Sequence, residues 1–285
     1  TDVSGNAADQ ATRTIAVEDT TAPTITTCPA AVTVSADASC QNVLPDFTAQ
    51  VVASDLCSTT AGSLTVTQSP AANTVVGLGV TTVTLTVTDP SGNGTTCDTT
   101  FTVEDTTAPG LVLTGPSTVT LACHVDSYVE EGATASDACD AGVGVMIGGD
   151  TVDADTPGSY IVTYDATDAS GNAAPQLTRI VNVVDTLKPT ITLNGAGTLT
   201  IECHVGSYTE AGANVADVCD LGLTSVVIGG DTVDADTPGI YVVTYDATDA
   251  SGNAADQVTR TITVQDTIAP VVTLTGPSTV PLECT

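Results

Sequence analysis

Aspartate recurs in this sequence within three short motifs whose residue types and spacing could assemble a metal site. Asp-Thr-x-x-Pro, which we call the leading segment, starts at Asp19, Asp105, Asp185 and Asp266. Asp-x-Ser-Gly-Asn starts at Asp2, Asp89, Asp168 and Asp249. Asp-x-Cys starts at Asp55, Asp137 and Asp217. Carboxylate oxygens supplied by several loops are the ligands that Ca²⁺ prefers, whereas each motif taken alone is also a good tight turn.

The spacing of the leading segments divides the chain into domain-sized repeats. Their first aspartates are 86, 80 and 81 residues apart. Repeats of this length are whole small domains rather than the turns of a solenoid. We therefore predict a C-terminal strand of a preceding repeat at 1–18, complete domains at 19–104, 105–184 and 185–265, and the N-terminal strands of a following repeat at 266–285.

The elements that must position these motifs are β-strands. Short segments alternate apolar and polar residues or are rich in β-branched and aromatic residues, and Gly, Pro, Asn and Asp separate them. About seven short strands in roughly 80 residues are typical of an immunoglobulin-like sandwich. The predicted fold class is all-β, with tandem immunoglobulin-like β-sandwich domains arranged end to end. In residues 185–265 we predict strand A at 190–194, an edge segment at 198–203, strand B at 213–216, strand C at 224–228, a short D/E region at 231–236, strand F at 240–246 and strand G at 257–264.

The three aspartate motifs are expected to converge in this fold. The B–C and F–G loops lie at the pole of the sandwich where the chain enters, and the leading segment is that point. Left empty, such a cluster of carboxylates would repel itself. We therefore expect Ca²⁺ at the inter-domain junctions rather than turns alone. The predicted ligands are Asp19, Asp55, Asp89, Asp105, Asp137, Asp140, Asp168, Asp185, Asp217, Asp220 and Asp249.

The charge of the chain excludes several classes of partner. There are 34 acidic residues against 4 Lys and Arg, which gives a net charge of −30. Such a chain repels phosphate backbones, so nucleic-acid binding is excluded, and anionic membrane surfaces are disfavoured for the same reason. No run of 18 or more apolar residues is present, so we predict no membrane span in this segment. The excess of carboxylate also favours solubility.

The residues that catalysis would need are missing from the pattern. The two histidines, His124 and His204, each follow a cysteine. No Ser-His-Asp pattern stands out, and the Cys-x-x-Cys spacing of structural zinc sites is absent. We therefore predict that the chain is not an enzyme.

The repeats resemble known families. Pro-Gly-x-Tyr-x-Val-Thr-Tyr-Asp-Ala-Thr-Asp-Ala-Ser-Gly-Asn occurs at 157–172 and 238–253. It resembles the bacterial immunoglobulin-like surface repeats that also occur in pesticidal crystal proteins. Residues 19–104, with Cys28-Pro, Asp55-Leu-Cys57 and Cys97, are similar to the hyalin repeat (HYR). The resemblance implies an extracellular tandem array and no particular ligand.

The nine cysteines follow the repeats, a pattern that suits disulfides in an oxidising compartment. If pairing occurs within each repeat, residues 105–184 and 185–265 hold only two cysteines each. Alignment of residues 19–104 with these repeats then gives one further pair and leaves two cysteines at the starts of neighbouring strands A and G. The predicted disulfides are Cys123–Cys139, Cys203–Cys219, Cys40–Cys57 and Cys28–Cys97.

These features predict a structural protein. We expect a segment of a long extracellular repeat protein that forms a calcium-stiffened, disulfide-stapled surface fibre, filament or adhesin stalk. Its partners would be neighbouring repeats, copies of itself or a cell-surface or matrix molecule. The alternative is a spacer or carbohydrate-binding array attached to a secreted enzyme or adhesin. Sugar sites usually need exposed aromatic residues, and aromatic residues make up 3% of the chain.

Overall fold

The structure, a computed structural model, describes residues 1–57 and 64–282. Within these residues it contains β-strands and a short 3₁₀ helix at Thr48–Gln50, so the all-β prediction is confirmed. No helix in the described part of the chain is long and apolar enough to cross a bilayer. The chain forms two compact units. The first comprises Thr1–Leu113, Ala133–Met146 and Tyr164–Leu177, and the second comprises Thr114–Gly132, Ile147–Thr163 and Thr178–Thr285.

Residues 24–104 supply eight strands to the first unit. They are β1 (Thr24–Thr27), β2 (Val32–Ser35), β3 (Gln41–Val43), β4 (Val52–Ser54), β5 (Thr65–Ser69), β6 (Val75–Gly77), β7 (Gly79–Thr88) and β8 (Gly94–Glu104). One sheet has the order β2-β8-β7-β5, and two smaller sheets are formed by β1-β4 and by β3-β6. The short strand β2 runs parallel to β8, whereas β7 and β8 are antiparallel.

Strands β7 and β8 carry the core of the first unit because successive side chains point to opposite faces. Along β7, Val83, Leu85 and Val87 are fully buried, and threonines occupy the positions between them. Phe101 of β8 and Phe47 join Val83 and Leu85 in one apolar cluster. The alternation of valine or leucine with threonine therefore specifies which face of the sheet is buried.

Residues 110–184 supply six further strands. They are β9 (Gly110–Leu113), β10 (Thr118–Ala122), β11 (Ala133–Ser136), β12 (Val145–Gly149), β13 (Gly158–Ala166) and β14 (Leu177–Val184). In the first unit β9 and β11 are antiparallel. In the second unit β10 runs parallel to β14, and Leu121, Cys123, Val181 and Val183 form a buried cluster.

Residues 190–265 supply the last six strands, all in the second unit. They are β15 (Thr190–Leu193), β16 (Thr198–Glu202), β17 (Ala213–Ala216), β18 (Val227–Gly230), β19 (Gly239–Asp246) and β20 (Val258–Gln265). The larger sheet has the order β16-β20-β19-β18, and β15 pairs with β17. The predicted strands A, B, F and G and the edge segment are present, and strand C begins at Val227 instead of residue 224.

The predicted D/E region at 231–236 is not a strand, and its aspartates explain why. Asp234 accepts hydrogen bonds from the Asp236 amide (2.9 Å) and the Thr237 hydroxyl (2.8 Å). Asp231 accepts one from the Val242 amide (2.7 Å). The Asp234 bonds close a local turn, whereas Asp231 engages the Val242 amide on β19 with its side chain instead of its backbone carbonyl; both compete with strand pairing.

The strands predicted at the two ends of the chain are also absent from the described residues. Residues 1–18 and 266–282 contain only turns, bends and coil. An extended segment needs a neighbouring strand to complete its backbone hydrogen bonds, and in the described structure these segments pair with none.

One disulfide prediction is confirmed and three are wrong. Cys28 is bonded to Cys97, with 6.2 Å between their Cα atoms. The other disulfides link different repeats, and Cys57 and Cys203 are free thiols. The observed inter-repeat pairs are Cys40–Cys139 and Cys123–Cys219. The predicted Cys40–Cys57, Cys123–Cys139 and Cys203–Cys219 bonds therefore do not form.

The reason is that the last strand of the repeat separates the cysteines that we paired. The Cys203 amide donates to the Gln265 carbonyl oxygen (2.8 Å), at the end of β20. Cys219 lies beside Asp185, whose carbonyl oxygen accepts from the Asn253 side chain just before β20 begins. Eight residues of strand span about 26 Å, whereas a disulfide allows a Cα separation of at most about 7 Å. Strand β8 separates Cys40 from Cys57 in the same way.

Two buried arginines fill core positions on the last strands. Arg260 of β20 is 1% exposed and ion-pairs with Glu210, and its guanidinium lies 5.5 Å from the Tyr245 ring centroid. It also donates to the carbonyl oxygens of Asn194 (2.7 Å) and Ala196 (3.1 Å). A second pair, Arg179–Glu130 (2.6 Å), repeats this arrangement. Each guanidinium therefore ties the first strands of its repeat to the last.

Replacing Arg260 by methionine is expected to lower the free energy of unfolding by roughly 3 kcal/mol, because Glu210 and two carbonyl oxygens lose a buried donor. Denaturant unfolding monitored by circular dichroism would measure the change. Lys188→Met is the matched control, since Lys188 forms an exposed ion pair with Asp256 and its loss should change stability by less than about 0.5 kcal/mol. Equal effects of the two substitutions would contradict a structural role for the buried pair.

Candidate metal centres

The structure brings predicted aspartates together at the leading segment of each complete repeat. In the first group, Asp19, Asp55 and Asp89 each offer a carboxylate oxygen, and these atoms lie within 4.8 Å of one another. Asp19 belongs to the leading segment, Asp55 follows β4 and Asp89 follows β7. Three loops therefore deliver three negative charges to one place, as the motif spacing predicts.

The second group lies at the start of residues 105–184. It consists of Asp105, Asp137 and the sulfur of Cys139, again within 4.8 Å of one another. Asp105 is 8% exposed, and its Oδ1 accepts from the Thr107 amide (3.0 Å). Its Oδ2 is buried and has no hydrogen-bond partner. Because Cys139 is disulfide-bonded, its sulfur is not a thiolate, and oxygen is the available donor type.

The third group repeats this arrangement at the start of residues 185–265. Asp185 and Asp217 lie with the Cys219 sulfur within 4.8 Å of one another, and each aspartate is 8% exposed. Oδ2 of both is buried without a partner. Burial raises the pKa of Asp185 above its usual range, and the nearby carboxylates of Asp217 and Asp249 add to the rise. The ionised pair is therefore costly without a cation.

The Asp-x-Ser-Gly-Asn motif supplies a second kind of aspartate, whose oxygens close a turn. Asp168 Oδ1 accepts from the Asn172 amide (2.8 Å), and Oδ2 accepts from the Asn172 side chain (2.9 Å). Burial alone would raise the pKa of Asp168, but these hydrogen bonds hold it below the usual value. Asp249 makes the same bonds to Asn253. Asp168 and Asp249 thus stay ionised while they shape the turn, and neither belongs to the second or third group.

Asp140 and Asp220 were predicted as ligands, but the structure gives them different partners. Asp140 Oδ1 accepts from the Gly142 amide (2.8 Å), and Oδ2 accepts from the Ala169 amide (2.9 Å). Asp220 makes the equivalent bonds to Gly222 (3.0 Å) and Ala250 (3.0 Å). Both oxygens of each carboxylate are engaged, so these residues tie the B–C loop to the F–G turn.

The asparagine of the Asp-x-Ser-Gly-Asn motif has a role that our sequence analysis missed. The Asn172 side chain donates to the Asp105 carbonyl oxygen (3.1 Å), and Asn93 donates to that of Asp19 (3.1 Å). Asn253 and Asp185 form the same contact (3.3 Å). The presence of Asn at the fifth position of every copy was the available signal. Each asparagine fixes the backbone of the leading segment beside the carboxylates.

Two family models match this chain. Residues 111–183 and 191–264 match the model of the bacterial surface protein Ig-like domain, and together they cover more than half of the chain. The chain belongs to the bacterial surface Ig-like family. Residues 18–104 match the HYR domain. Proteins built from these domains are typically structural or adhesive, and the HYR match and the three disulfides indicate an extracellular protein.

Relatives of this chain are found in animals and in a phage. Hyalin of Strongylocentrotus purpuratus is 33% identical over 286 residues, which cover 95% of this chain and 23% of that protein. An uncharacterised 81.3 kDa protein of Acholeplasma phage L2 is 36% identical over 42% of this chain and 16% of its own length. The chain thus spans less than a quarter of either relative.

Solved structures that resemble this chain include a bacterial lipoprotein and a cadherin. The lipoprotein BT2262 of Bacteroides thetaiotaomicron is 32% identical over 29% of this chain and 40% of its own, with a TM-score of 0.25. Protocadherin gammaB7 is 14% identical over 85% of this chain and 73% of its own, with a TM-score of 0.33.

Replacing Asn253 by alanine is expected to lower the free energy of unfolding by about 1–2 kcal/mol, because the Asp185 carbonyl oxygen and the Asp249 carboxylate both lose a donor. Thermal unfolding in chelator measures this effect without any contribution from a bound cation. Asn214→Ala, at an exposed position of β17, is the matched control. A melting temperature as high as that of the control would show that the asparagine does not hold the leading segment.

Proposed function

We propose that this chain is part of an extracellular structural array in which Ca²⁺ fixes the leading segment of each repeat. The observation that carries the proposal is the set of buried, unpartnered Oδ2 atoms of Asp105, Asp185 and Asp217. A buried polar atom without a partner is unusual in a folded protein. Here it recurs at the same place in two repeats, each time within a group of closely spaced carboxylates.

The donor atoms favour calcium over other metals. Aspartate and backbone oxygens suit a hard cation such as Ca²⁺, whereas zinc prefers histidine and thiolate. The sulfurs of the second and third groups are in disulfides, and no histidine belongs to either group. Asp185 and Asp217 would hold the cation in the third repeat, Asp105 and Asp137 in the second, and Asp19, Asp55 and Asp89 in the first. The ion would supply the positive charge that the carboxylates lack.

The calcium sites suit a stiffening role. The leading segment is already tied to the F–G turn through Asn172 or Asn253. Carboxylates from this segment and from the B–C loop would bind the same ion. The start of each repeat would then be held by two loops of its own domain. The family membership and the inter-repeat disulfides support the role of a surface fibre, filament or adhesin stalk.

The aromatic residues do not favour the alternative of carbohydrate binding. Stacking on a sugar needs an exposed aromatic face. Every tyrosine and phenylalanine of the chain is buried or half-buried, and Tyr164 and Tyr245 are fully buried.

Calcium at about 1 mM is expected to raise the free energy of unfolding by roughly 0.4–1.4 kcal/mol per site, given a typical extracellular Kd of ~10⁻⁴–10⁻³ M. Thermal unfolding in Ca²⁺ and in chelator measures the increase, and Mg²⁺ at equal ionic strength is the control. Hydrogen exchange of the Leu187 amide, which donates to Asp185 (3.0 Å), reports on the leading segment itself. Identical melting and exchange in Ca²⁺ and chelator would remove calcium from the proposal.

Asp185→Asn should change the free energy of unfolding in opposite directions in chelator and in Ca²⁺. In chelator it removes a buried charge beside Asp217 and should stabilise the protein. In Ca²⁺ it removes a ligand and should destabilise it. The chelator effect should shrink as pH falls through the raised pKa of Asp185, because protonated aspartate is also neutral. Asp9→Asn, at an exposed position, is the control. Destabilisation both in chelator and in Ca²⁺ would indicate that Asp185 only shapes the turn and binds no cation.

A further inference from the structure

Cys203 occupies the same local structure in its repeat as Cys123 does in the preceding repeat. The amide of each donates to the end of the last strand, Cys123 to the Val184 carbonyl oxygen (2.8 Å) and Cys203 to that of Gln265 (2.8 Å). Each is followed by a histidine with positive φ, 56° for His124 and 62° for His204. We call this arrangement the socket.

The sulfur atoms of the two sockets are also equivalently placed. Cys123 Sγ lies 3.2 Å from the Asp155 carbonyl oxygen, and Cys203 Sγ lies 3.0 Å from that of Asp236. Cys123 is disulfide-bonded and fully buried, whereas Cys203 is a free thiol with 5% of its surface exposed. Cys203 is therefore positioned as a half-cystine that has no sulfur partner in this chain's structure.

The cysteines that bond to Cys123 and Cys40 lie in the same type of loop. Cys123 bonds Cys219, which is 96 residues further along, and Cys40 bonds Cys139, which is 99 residues further along. Both acceptors belong to Asp-x-Cys loops, in which Oδ1 of the aspartate accepts from the cysteine amide (2.7 Å at Cys139 and at Cys219). Both inter-repeat disulfides among the described residues thus join the exit end of one repeat to the B–C loop of the next.

Cys57 is an unoccupied copy of that loop. Its amide donates to Asp55 Oδ1 (2.9 Å), as in the two bonded loops. It is an exposed free thiol. One chain therefore carries both halves of the linkage, a socket at Cys203 and a loop at Cys57.

We propose that Cys203 forms a head-to-tail disulfide with the Asp-x-Cys loop of a further repeat of this type, supplied here by Cys57 of a second copy of the chain. The linkage deepens the proposed structural role by naming its covalent partner, and it does not depend on calcium. A repeat elsewhere in the same polypeptide would present the same chemistry, so the experiment must distinguish the two sources.

The bond requires an oxidant. Glutathione disulfide accepts the electron pair: Cys57 first displaces one glutathione to form a mixed disulfide. The Cys203 thiolate then attacks the Cys57 sulfur and releases the second glutathione. Both protein thiols lose their hydrogens, one protein disulfide forms, and the glutathione disulfide becomes two thiols. The pKa of Cys203 is raised by burial and by nearby carboxylates, so mildly alkaline buffer is chosen to supply the thiolate.

The test mixes isotopically labelled and unlabelled chains in a glutathione redox buffer, with Cys284 replaced by serine so that its thiol does not compete in disulfide exchange. We expect disulfide-linked multimers whose digest contains Cys57 and Cys203 peptides joined across one labelled and one unlabelled chain. C203S and C57S should each abolish the multimers and leave the Cys28–Cys97 peptide intact. Circular dichroism melting of both variants checks that they are folded.

The outcomes separate this proposal from the calcium sites. Multimers are expected equally in Ca²⁺ and in chelator. Cys203–Cys57 peptides found only within a single label type, Cys57–Cys57 links only, or a Cys203 thiol that persists while Cys57 is oxidised would overturn the linkage between copies. In a longer polypeptide containing this segment, peptide mapping should find Cys203 bonded to an Asp-x-Cys loop. A bond from Cys203 to any other kind of site would overturn the proposal as a whole.

Discussion

The pairing of the last strand of each repeat determines where its chemistry lies. In residues 185–265, β20 is hydrogen-bonded to β19 on one side and to the short parallel strand β16 on the other. The antiparallel neighbour brings the aspartate turn to the start of β20, and the parallel neighbour brings Cys203 to its end. Carboxylates and the socket cysteine are thus held apart by the length of one strand, although both belong to the same small domain.

The two parts of the repeat treat their charged side chains in opposite ways. At the start, carboxylates with unpartnered oxygens are held close together by backbone and asparagine donors, which leaves negative charge uncompensated. Beside the last strand, Arg260 and Glu210 compensate each other in the interior and satisfy their remaining hydrogen bonds locally. The first arrangement suits an exchangeable ion, whereas the second is permanent. This contrast explains why a chain with four basic residues buries two of them.

Strand positions and the convergence of Asp19, Asp55 and Asp89 follow from the sequence because alternation and turn motifs are local signals. The burial of Arg260 could also have been predicted. In Val-Thr-Arg-Thr-Ile-Thr-Val (258–264) the strand period of two places it on the apolar face. The cysteine partners were not accessible in this way. A spacing of 16 residues says nothing about which end of a sandwich each cysteine occupies, and that depends on the parallel pairing of β16. The contacts of Asp140 were inaccessible for a related reason, since one oxygen accepts from the nearby Gly142 amide and the other from the Ala169 amide of a distant turn.

The inter-repeat disulfides have a consequence for resistance to proteolysis. The loop closed by Cys40–Cys139 and the loop closed by Cys123–Cys219 overlap between residues 123 and 139. A single cut of the backbone anywhere from residue 40 to residue 219 therefore leaves one covalent molecule. The segments that connect repeats, which are the usual targets of proteases, lie inside this span at 105–109 and 185–189. An extracellular protein bonded in this way can be nicked between its domains without being shed.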